Sequence, residues 1–193
     1  MTQSVTGDDP SAPPEVLLGV TGSVAAYKAA DLCSRLVQAG HRVTAALTPS
    51  AERFIGTTTF EALTARPVYA SQWQPHEHHQ GEHIGLAARA DLYVIAPCSA
   101  DMLGQIAGGL APNLVSLLAM TIGCPLLVAP AMNRAMWEKP AVRRNVNLLQ
   151  EDGVQIVGPG DGWQSCRAVG TGRMSEPADI MAAIEQTLTG RPG

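Results

Sequence analysis

The chain has 193 residues, of which 46% are hydrophobic, 16% are charged and 4% are aromatic. This length and apolar content predict a single globular domain, spanning residues 15–190, and exclude disorder over most of the chain. Because the formal net charge is −4 and no cluster of Lys and Arg is present, we expect a small molecule rather than a nucleic acid as the partner.

The N-terminus and the cysteines indicate the expected cellular setting. Residues 1–14 are polar and acidic, which predicts a disordered tail rather than a signal peptide or an anchor. No two cysteines form a CxxC pair, so we expect neither a zinc cluster nor a disulfide framework but free thiols in the reducing cytoplasm. Cys166 lies in a glycine-rich segment and is predicted to be mobile and exposed, whereas three cysteines lie in strand or helix patterns and are predicted to be buried: Cys33, Cys98 and Cys124.

Short apolar runs alternate with helical patterns along the chain. Residues 15–21 form the first predicted strand, and a tight turn at Gly22 leads into a predicted helix over residues 24–38. Further strands are predicted at residues 41–47, 91–96, 125–129 and 154–157. Strands that are apolar throughout are typical of a parallel sheet covered on both faces. The predicted fold is therefore α/β, a three-layer Rossmann-like or flavodoxin-like sheet with helices on both faces.

Residues 114–132 are nearly uncharged and about as long as a membrane-spanning helix. Gly123, Pro125 and Pro130 interrupt this stretch. We therefore expect a buried helix followed by a core strand, and no membrane association.

Polar motifs follow four of the predicted strands, at residues 22–23, 48–50, 97–101 and 130–133. The carboxyl ends of parallel strands meet at one edge of a sheet, where ligands bind. The first motif matches neither the dinucleotide fingerprint nor the phosphate loop of NTPases. It offers a helix N-terminus and a Ser hydroxyl, which suit one phosphate group, although a simple tight turn at Gly22 explains the same residues.

Histidines crowd together in the segment HEHHQGEH, at positions 76, 78, 79 and 83. Their spacing lacks the helical i, i+4 pattern and the Cys partners of common zinc sites, so we do not predict a metal. His83 opens an apolar-periodic segment and is either a proton-transfer group or a solvated residue at a helix start. Cys166 is likewise either a proton donor or nucleophile, or a loop thiol without a role.

Seven patterns in the order of one family identify a resemblance that covers residues 16–186. They are GSVAAYK at 22–28, T.SA..F at 48–54, HI.LA..AD at 83–91, AP.SA at 96–100, G.A.NL at 109–114, PAMN..MW at 130–137 and C...G.GRM at 166–174. The chain resembles the flavin-containing cysteine decarboxylases, and most closely the branch that acts on phosphopantothenoylcysteine in coenzyme A biosynthesis.

The resemblance implies that FMN is the cofactor and that His83 and Cys166 are the catalytic residues. It also implies that Asn133, Met132 and Arg173 bind the substrate. The residues that it assigns to FMN binding are Gly22, Ser23, Val24, Thr48, Ser50, Phe54, Ser99, Ala100, Asp101, Met102 and Ala131.

The implied reaction is the oxidative decarboxylation of 4′-phosphopantothenoylcysteine to 4′-phosphopantetheine, with Cys166 as the proton donor. The implied assembly is a trimer, or a dodecamer of trimers, with FMN at the subunit contacts. We expect either a stand-alone decarboxylase or the decarboxylase half of a bifunctional protein. Three positions depart from the family pattern: Asp101 replaces the usual Asn, Pro112 replaces an acidic residue, and Arg167 replaces a Gly. A carboxylate at position 101 disfavours the anionic form of a reduced flavin, which puts the tuning of the cofactor in question.

Two alternatives remain open. The first is a decarboxylase of the same family that acts on a C-terminal peptidyl cysteine. The second is a flavin-binding regulatory subunit without catalysis, for which Asp101 is the only support in this sequence.

Overall fold

The computed structural model describes residues 12–73 and 81–190. Five parallel strands form its central sheet, at β1 (Glu15–Val20), β2 (Arg42–Leu47), β3 (Leu92–Cys98), β4 (Leu126–Pro130) and β5 (Gln155–Ile156). Their order across the sheet is β2-β1-β3-β4-β5, so the direction of winding reverses between β1 and β3. This is the order of the flavodoxin-like folds, in which ligands bind at the reversal.

Helices follow the strands and cover both faces of the sheet. They are α1 (Ala26–Gln38), α2 (Thr57–Thr64), α3 (Glu82–Arg89), α4 (Ala100–Ala107), α5 (Leu114–Thr121), α6 (Arg134–Trp137), α7 (Pro140–Glu151) and α8 (Pro177–Thr189). Side chains of α1, α2 and α8 pack on one face, and side chains of α3, α4, α5 and α7 pack on the other. The predicted three-layer α/β fold is confirmed.

Alternation along β1 explains the two hydrophobic cores. Val16, Leu18 and Val20 point into the core beneath α1 and α8, whereas Leu17 points into the core beneath α4 and α5. All four side chains are at most 1% exposed. Burying a Val or Leu side chain contributes about 1.5–3 kcal/mol, so both faces of β1 favour the interior of a covered sheet over its edge.

Gly19 on β1 makes room for Tyr93, a fully buried side chain of the second core. The Tyr93 hydroxyl crosses β1 and donates a hydrogen bond to the Val115 carbonyl at 2.9 Å. A Cβ atom on Gly19 would lie 2.7 Å from that hydroxyl and 3.1 Å from Val115 Cγ1. The absence of a side chain at position 19 therefore allows α5 to pack closely over the sheet.

The element boundaries differ from the predictions by one or two residues. α1 begins at Ala26 rather than at residue 24, because Ser23 and Ala25 form a turn in which Ala26 N–H donates to the Ser23 carbonyl at 3.0 Å. The predicted buried helix and core strand within residues 114–132 are confirmed as α5 and β4. Across residues 12–73 and 81–190, the helices lack the length and apolar character that a bilayer crossing requires.

Two sets of sequence predictions fall where the structure does not describe the chain. Residues 1–11 of the predicted tail lie outside the described ranges, as do His76, His78 and His79. The last two residues of that tail region contact β2, because Pro14 and Pro13 carbonyls accept hydrogen bonds from Arg42 N and Nε, each at 3.0 Å.

The glycine-rich segment around Cys166 is an antiparallel hairpin, whose strands were not among those predicted from the sequence. Its strands are β6 (Gly160–Trp163) and β7 (Val169–Arg173), and Cys166 lies in the connecting turn. We call residues 160–173 the flap. Glycine has low strand propensity, and a strand rich in glycine shows no alternation of apolar and polar side chains. Sequence analysis therefore does not detect such a hairpin.

A buried cation ties the base of the flap to α1. Lys28 is 5% exposed, and its Nζ donates to the Met174 carbonyl at 3.0 Å and to Glu176 Oε1 at 2.9 Å. Arg173 Nη2 lies 2.7 Å from the same carboxylate oxygen. The hydrogen bond from Lys28 is the main cause that lowers the pKa of Glu176 below its ordinary value of 4.5, and the charges of Lys28 and Arg173 act in the same direction.

Substitution of Gly19 by Ala should destabilise the fold without changing its architecture. The added Cβ overlaps the Tyr93 hydroxyl, and overpacking of this kind costs about 1–3 kcal/mol. The free energy of unfolding, measured by urea denaturation, should fall by that amount. Gly123→Ala is the matched control, because a Cβ there has no atom within 4 Å. Equal midpoints for the two variants would show that the packing around Tyr93 is not tight.

Substitution of Glu176 by Gln should lower stability at neutral pH and have less effect in acid. The depressed pKa of Glu176 means that its stabilising effect is present above the unfolded-state pKa and is lost as the pH falls through the folded-state pKa. For a half-exposed carboxylate we expect about 1 kcal/mol, which corresponds to roughly 2–4 °C in Tm for a chain of this size. Thermal melts at pH 7 and pH 3 measure the difference, and a Tm gap that stays constant between them contradicts this account.

Candidate functional site

A cavity of about 1010 Å³ lies at the carboxyl ends of the central strands. Its walls come from the segments that follow β1, β2, β3 and β4, and from the flap. The reversal of strand order between β1 and β3 opens a crevice at this edge, because the helices that follow the two strands leave toward opposite faces. The structure thus brings the four predicted strand-end motifs together.

All the residues predicted to bind a cofactor or substrate line this cavity, and so does one of the two predicted catalytic residues. They are Gly22, Ser23, Val24, Thr48, Ser50, Phe54, Ser99, Ala100, Asp101, Met102, Ala131, Met132, Asn133, Cys166 and Arg173.

The turn after β1 presents unpaired backbone donors to the cavity. The N–H groups of Gly22, Ser23 and Val24 make no hydrogen bond within the described part of the chain. A Cβ on Gly22 would lie 2.5 Å from the Ser50 Cβ, so glycine is what allows the ends of β1 and β2 to touch. This cradle of N–H groups at a helix start has the donor set for a phosphate group.

The segment after β3 provides a second helix N-terminus. Ser99 caps α4, and its Oγ accepts a hydrogen bond from Met102 N at 3.2 Å. The N–H groups of Ala100 and Asp101 remain without partners in the described ranges. Asp101 Oδ2 accepts from Gln105 Nε2 at 2.8 Å, so the residue that departs from the family pattern holds a neighbouring cavity side chain.

Asn133 has a defined orientation because its side chain caps α6. Its Oδ1 accepts a hydrogen bond from Met136 N at 2.9 Å. The amide nitrogen Nδ2 is then the free end of the side chain, and it donates to no described residue. An amide with its oxygen engaged offers two N–H bonds to an acceptor such as a carboxylate.

The flap packs directly on the segment that carries Asn133. Met132 N donates to the Gly172 carbonyl at 2.9 Å. Gly172 has a φ of +134°, and a Cβ there would lie 2.6 Å from the Met132 carbonyl oxygen. Only glycine meets both requirements, so the glycines of the flap serve close packing as well as turn formation.

Cys166 is the exposed thiol among the four cysteines, as predicted. Burial raises the pKa of the Cys33 thiol to about 12 and raises the pKa of the Cys98 thiol further, so both stay protonated inside the cores. Cys124 is half-buried rather than buried. Exposure and position at the cavity therefore distinguish Cys166 from the other thiols.

His83 is the predicted site residue that does not line the cavity. It is the second residue of α3 and is half-buried, in the helical layer where α3 packs against α5. His83 is therefore not among the residues that line the cavity with Cys166.

Several cavity residues were missed by sequence reasoning, notably Lys28, Trp163 and Gln164. Lys28 could have been noticed from the sequence, because it lies in the apolar stripe of α1. It precedes Leu32 by four residues and Leu36 by eight. A charge in such a stripe needs a buried partner. Gln164 had no such signal, since its contacts depend on the flap hairpin.

The chain matches the family model described as Flavoprotein over residues 4–189. It is 39% identical over 171 residues to the coenzyme A biosynthesis bifunctional protein CoaBC of Bacillus subtilis, a match that covers 89% of this chain and 42% of that protein. It is 38% identical over 176 residues to the probable phosphopantothenoylcysteine decarboxylase of Streptococcus mutans, covering 90% of this chain and 98% of that protein.

Among solved structures, the fold is similar to a PPC decarboxylase cysteine-to-serine mutant complexed with pantothenoylaminoethenethiol. The TM-score is 0.80 at 34% identity, with 90% of this chain and 97% of that chain covered. The chain spans less than half the length of the bifunctional relatives that it matches. Because the family match extends over nearly the whole sequence, this chain belongs to the Flavoprotein family.

Proposed function

We propose that the chain is an FMN-dependent decarboxylase that converts 4′-phosphopantothenoylcysteine to 4′-phosphopantetheine. The observation that carries this proposal is the convergence, in one cavity, of a phosphate-binding turn, a free Asn133 amide and an exposed Cys166 thiol. The names of the similar proteins support it, since one is described as a probable phosphopantothenoylcysteine decarboxylase and another as a PPC decarboxylase.

The cofactor is held by the strand-end segments. The free N–H groups of Gly22 to Val24, with the hydroxyls of Ser23 and Ser50, bind the phosphate of FMN. Thr48, Phe54 and Ala131 line the remainder of its site, together with the start of α4 at Ser99 to Met102. When bound, FMN supplies a two-electron acceptor that takes electrons from the substrate thiol and returns them later.

Asn133, Met132 and Arg173 form the substrate side of the cavity. Asn133 Nδ2 donates to the carboxylate of the substrate's cysteine moiety, because the helix cap already occupies Oδ1. Arg173 supplies a positive charge near the flap, although Glu176 partly offsets that charge in the absence of substrate. The contact between Asn133 and the substrate carboxylate then orients the carbon that carries the thiol.

The proposed reaction consists of an oxidation, a decarboxylation, and a final protonation with reduction. Loss of two electrons and two protons turns the substrate CH₂–SH group into a thioaldehyde. The bond to the carboxylate carbon then breaks, carbon dioxide leaves, and its electron pair enters the C=C bond of an ene-thiolate. Cys166 would give its proton to the carbon that lost carbon dioxide, and the two electrons removed in the first step, together with two further protons, would complete the saturated thiol.

Cys166 suits the proton-donor role because it is exposed at the tip of the flap, facing the cavity. The solved PPC decarboxylase mutant supports the order of steps. That protein, with a cysteine replaced by serine, is complexed with pantothenoylaminoethenethiol, an ene-thiol that is one reduction short of the saturated thiol.

We further propose a homotrimer, alone or as the unit of a dodecamer, in the cytoplasm. Large apolar side chains around the cavity are exposed in the single chain: Val24, Tyr27, Phe54 and Trp163. An apolar rim of this kind favours coverage by bound cofactor and a second subunit. The four free thiols agree with a reducing compartment. His83, which lies outside the cavity of its own chain, then acts in the site of a neighbouring subunit.

The proposed reaction is tested on the purified protein under anaerobic conditions. We expect a flavin absorbance spectrum and, on addition of 4′-phosphopantothenoylcysteine, a product whose mass shows loss of carbon dioxide. Cys166→Ser should still release carbon dioxide but yield mainly the ene-thiol. A peptide ending in cysteine serves as the competing substrate. Turnover of the peptide alone, or protein that cannot be loaded with FMN, would overturn the proposal.

The position of His83 is tested by mixing two variants in one assembly. His83→Asn and Cys166→Ser should each fail to make saturated product at the normal rate. If His83 serves a neighbouring subunit, each co-expressed and doubly tagged trimer contains one site in three with both wild-type groups, so saturated product should return to about a third of the wild-type level. If the mixed assemblies make no more saturated product than either variant alone, then His83 and Cys166 act within one chain or His83 has no part in the reaction.

A further inference from the structure

Gln164 is the polar side chain buried most deeply in the flap. It directly follows β6 and is 7% exposed. Its amide nitrogen donates to the Gly170 and Thr171 carbonyls, both at 3.2 Å. Its amide oxygen accepts from Arg134 N at 3.0 Å and from the Cys166 thiol at 3.7 Å. Both ends of the amide are therefore engaged, as a buried amide requires.

The oxygen of Gln164 joins two parts of the cavity that belong to different elements. Arg134 follows Asn133 directly and begins α6, whereas Cys166 lies at the tip of the flap. The Gln164 amide oxygen thus contacts the segment that carries Asn133, which is proposed to bind the substrate carboxylate. It also contacts Cys166, the proposed proton donor. Within the described flap, no backbone group forms a hydrogen bond with the Cys166 sulfur. The Gln164 side chain therefore provides the polar contact of the Cys166 thiol.

We propose that Gln164 is a positioning residue that holds the protonated Cys166 thiol at a fixed distance from Asn133. This inference rests on the proposed function, because it assigns Gln164 to the protonation step of that reaction. Gln164 itself forms and breaks no covalent bond. It accepts the S–H hydrogen bond until the substrate carbon replaces it as the acceptor of that proton, and the cysteine regains a proton from water afterwards.

The amide of Gln164 has no simple substitute. A Glu side chain lacks the two N–H bonds and would place a carboxylate against two carbonyl oxygens, which is costly in a buried position. A Met side chain keeps a similar length and volume without any of the four hydrogen bonds. Gln164→Met therefore separates the polar contacts of this residue from its packing.

The test compares Gln164→Met with wild type in a single anaerobic turnover. Gln150→Met is the matched control, because Gln150 is exposed on α7 and its side chain makes no hydrogen bond among the described residues. We expect carbon dioxide release within about threefold of wild type, and a fall of about tenfold in the ratio of saturated product to ene-thiol. When turnover stops at the ene-thiol, the flavin would remain reduced, and its visible absorbance would report this.

A second measurement uses protein stripped of flavin and does not depend on turnover. Alkylation of Cys166 by iodoacetamide, followed by peptide mass, should be at least about threefold faster in Gln164→Met than in Gln150→Met, because the thiol loses its acceptor and its fixed place. Should Gln164→Met fail to fold, Gln164→Asn is measured in the same way, since its shorter amide cannot span the same four partners.

An unchanged product ratio or an unchanged alkylation rate in a folded variant overturns the inference. A parallel fall of both reaction stages overturns it too, because it indicates general disruption of the site. These outcomes differ from failure of the proposed function, in which wild-type protein releases no carbon dioxide, and in that case the alkylation rates still decide whether Gln164 holds the thiol.

Discussion

The reversal of strand order between β1 and β3 is the constraint on which the site depends. The helices that follow these two strands leave toward opposite faces, so the backbone N–H groups at their starts border one crevice. The segments after β2 and β4 close its sides. A cavity made in this way needs no single strong motif, because short polar segments far apart in the sequence meet at the sheet edge.

Close backbone contact is the second requirement of the site. Glycine at position 22 lets the turn after β1 touch Ser50, and glycine at position 172 lets the flap lie against Met132. Each contact brings together segments that are separated by tens of residues. The cavity wall therefore combines a few hydrogen-bond donors with glycines that allow close contact between segments. The donors are already in place in the absence of a ligand.

Much of this arrangement could be predicted from the sequence, and the exceptions have physical causes. The parallel strands were predictable because burial on both faces leaves continuous apolar runs, as in β1 and β3. The strand-end residues were predictable once the sheet was, since parallel strands bring their carboxyl ends together. The flap hairpin was not, because its glycines carry neither apolar alternation nor strand propensity. The contacts of Gln164 depend on that hairpin and were hidden with it.

His83 illustrates a different limit. Its helix was predictable from the apolar period of the segment that it opens, but a helix assignment does not say which cavity a residue on that helix serves. The structure places α3 in the layer with α5, beside the sheet and away from the flap. Sequence patterns report local structure and burial, whereas the position of a helix relative to the cavity depends on tertiary contacts that no local period encodes.

The buried ammonium of Lys28 has a mechanical consequence for the flap. It fastens the Met174 carbonyl at the end of β7, while the Met132 to Gly172 hydrogen bond fastens the middle of that strand. The hydrogen bond from Arg134 N to Gln164 Oε1 fastens the other strand just before its turn. The flap is thus anchored along both strands rather than hinged at its base, so a ligand would reach the cavity from beside the flap rather than by lifting it.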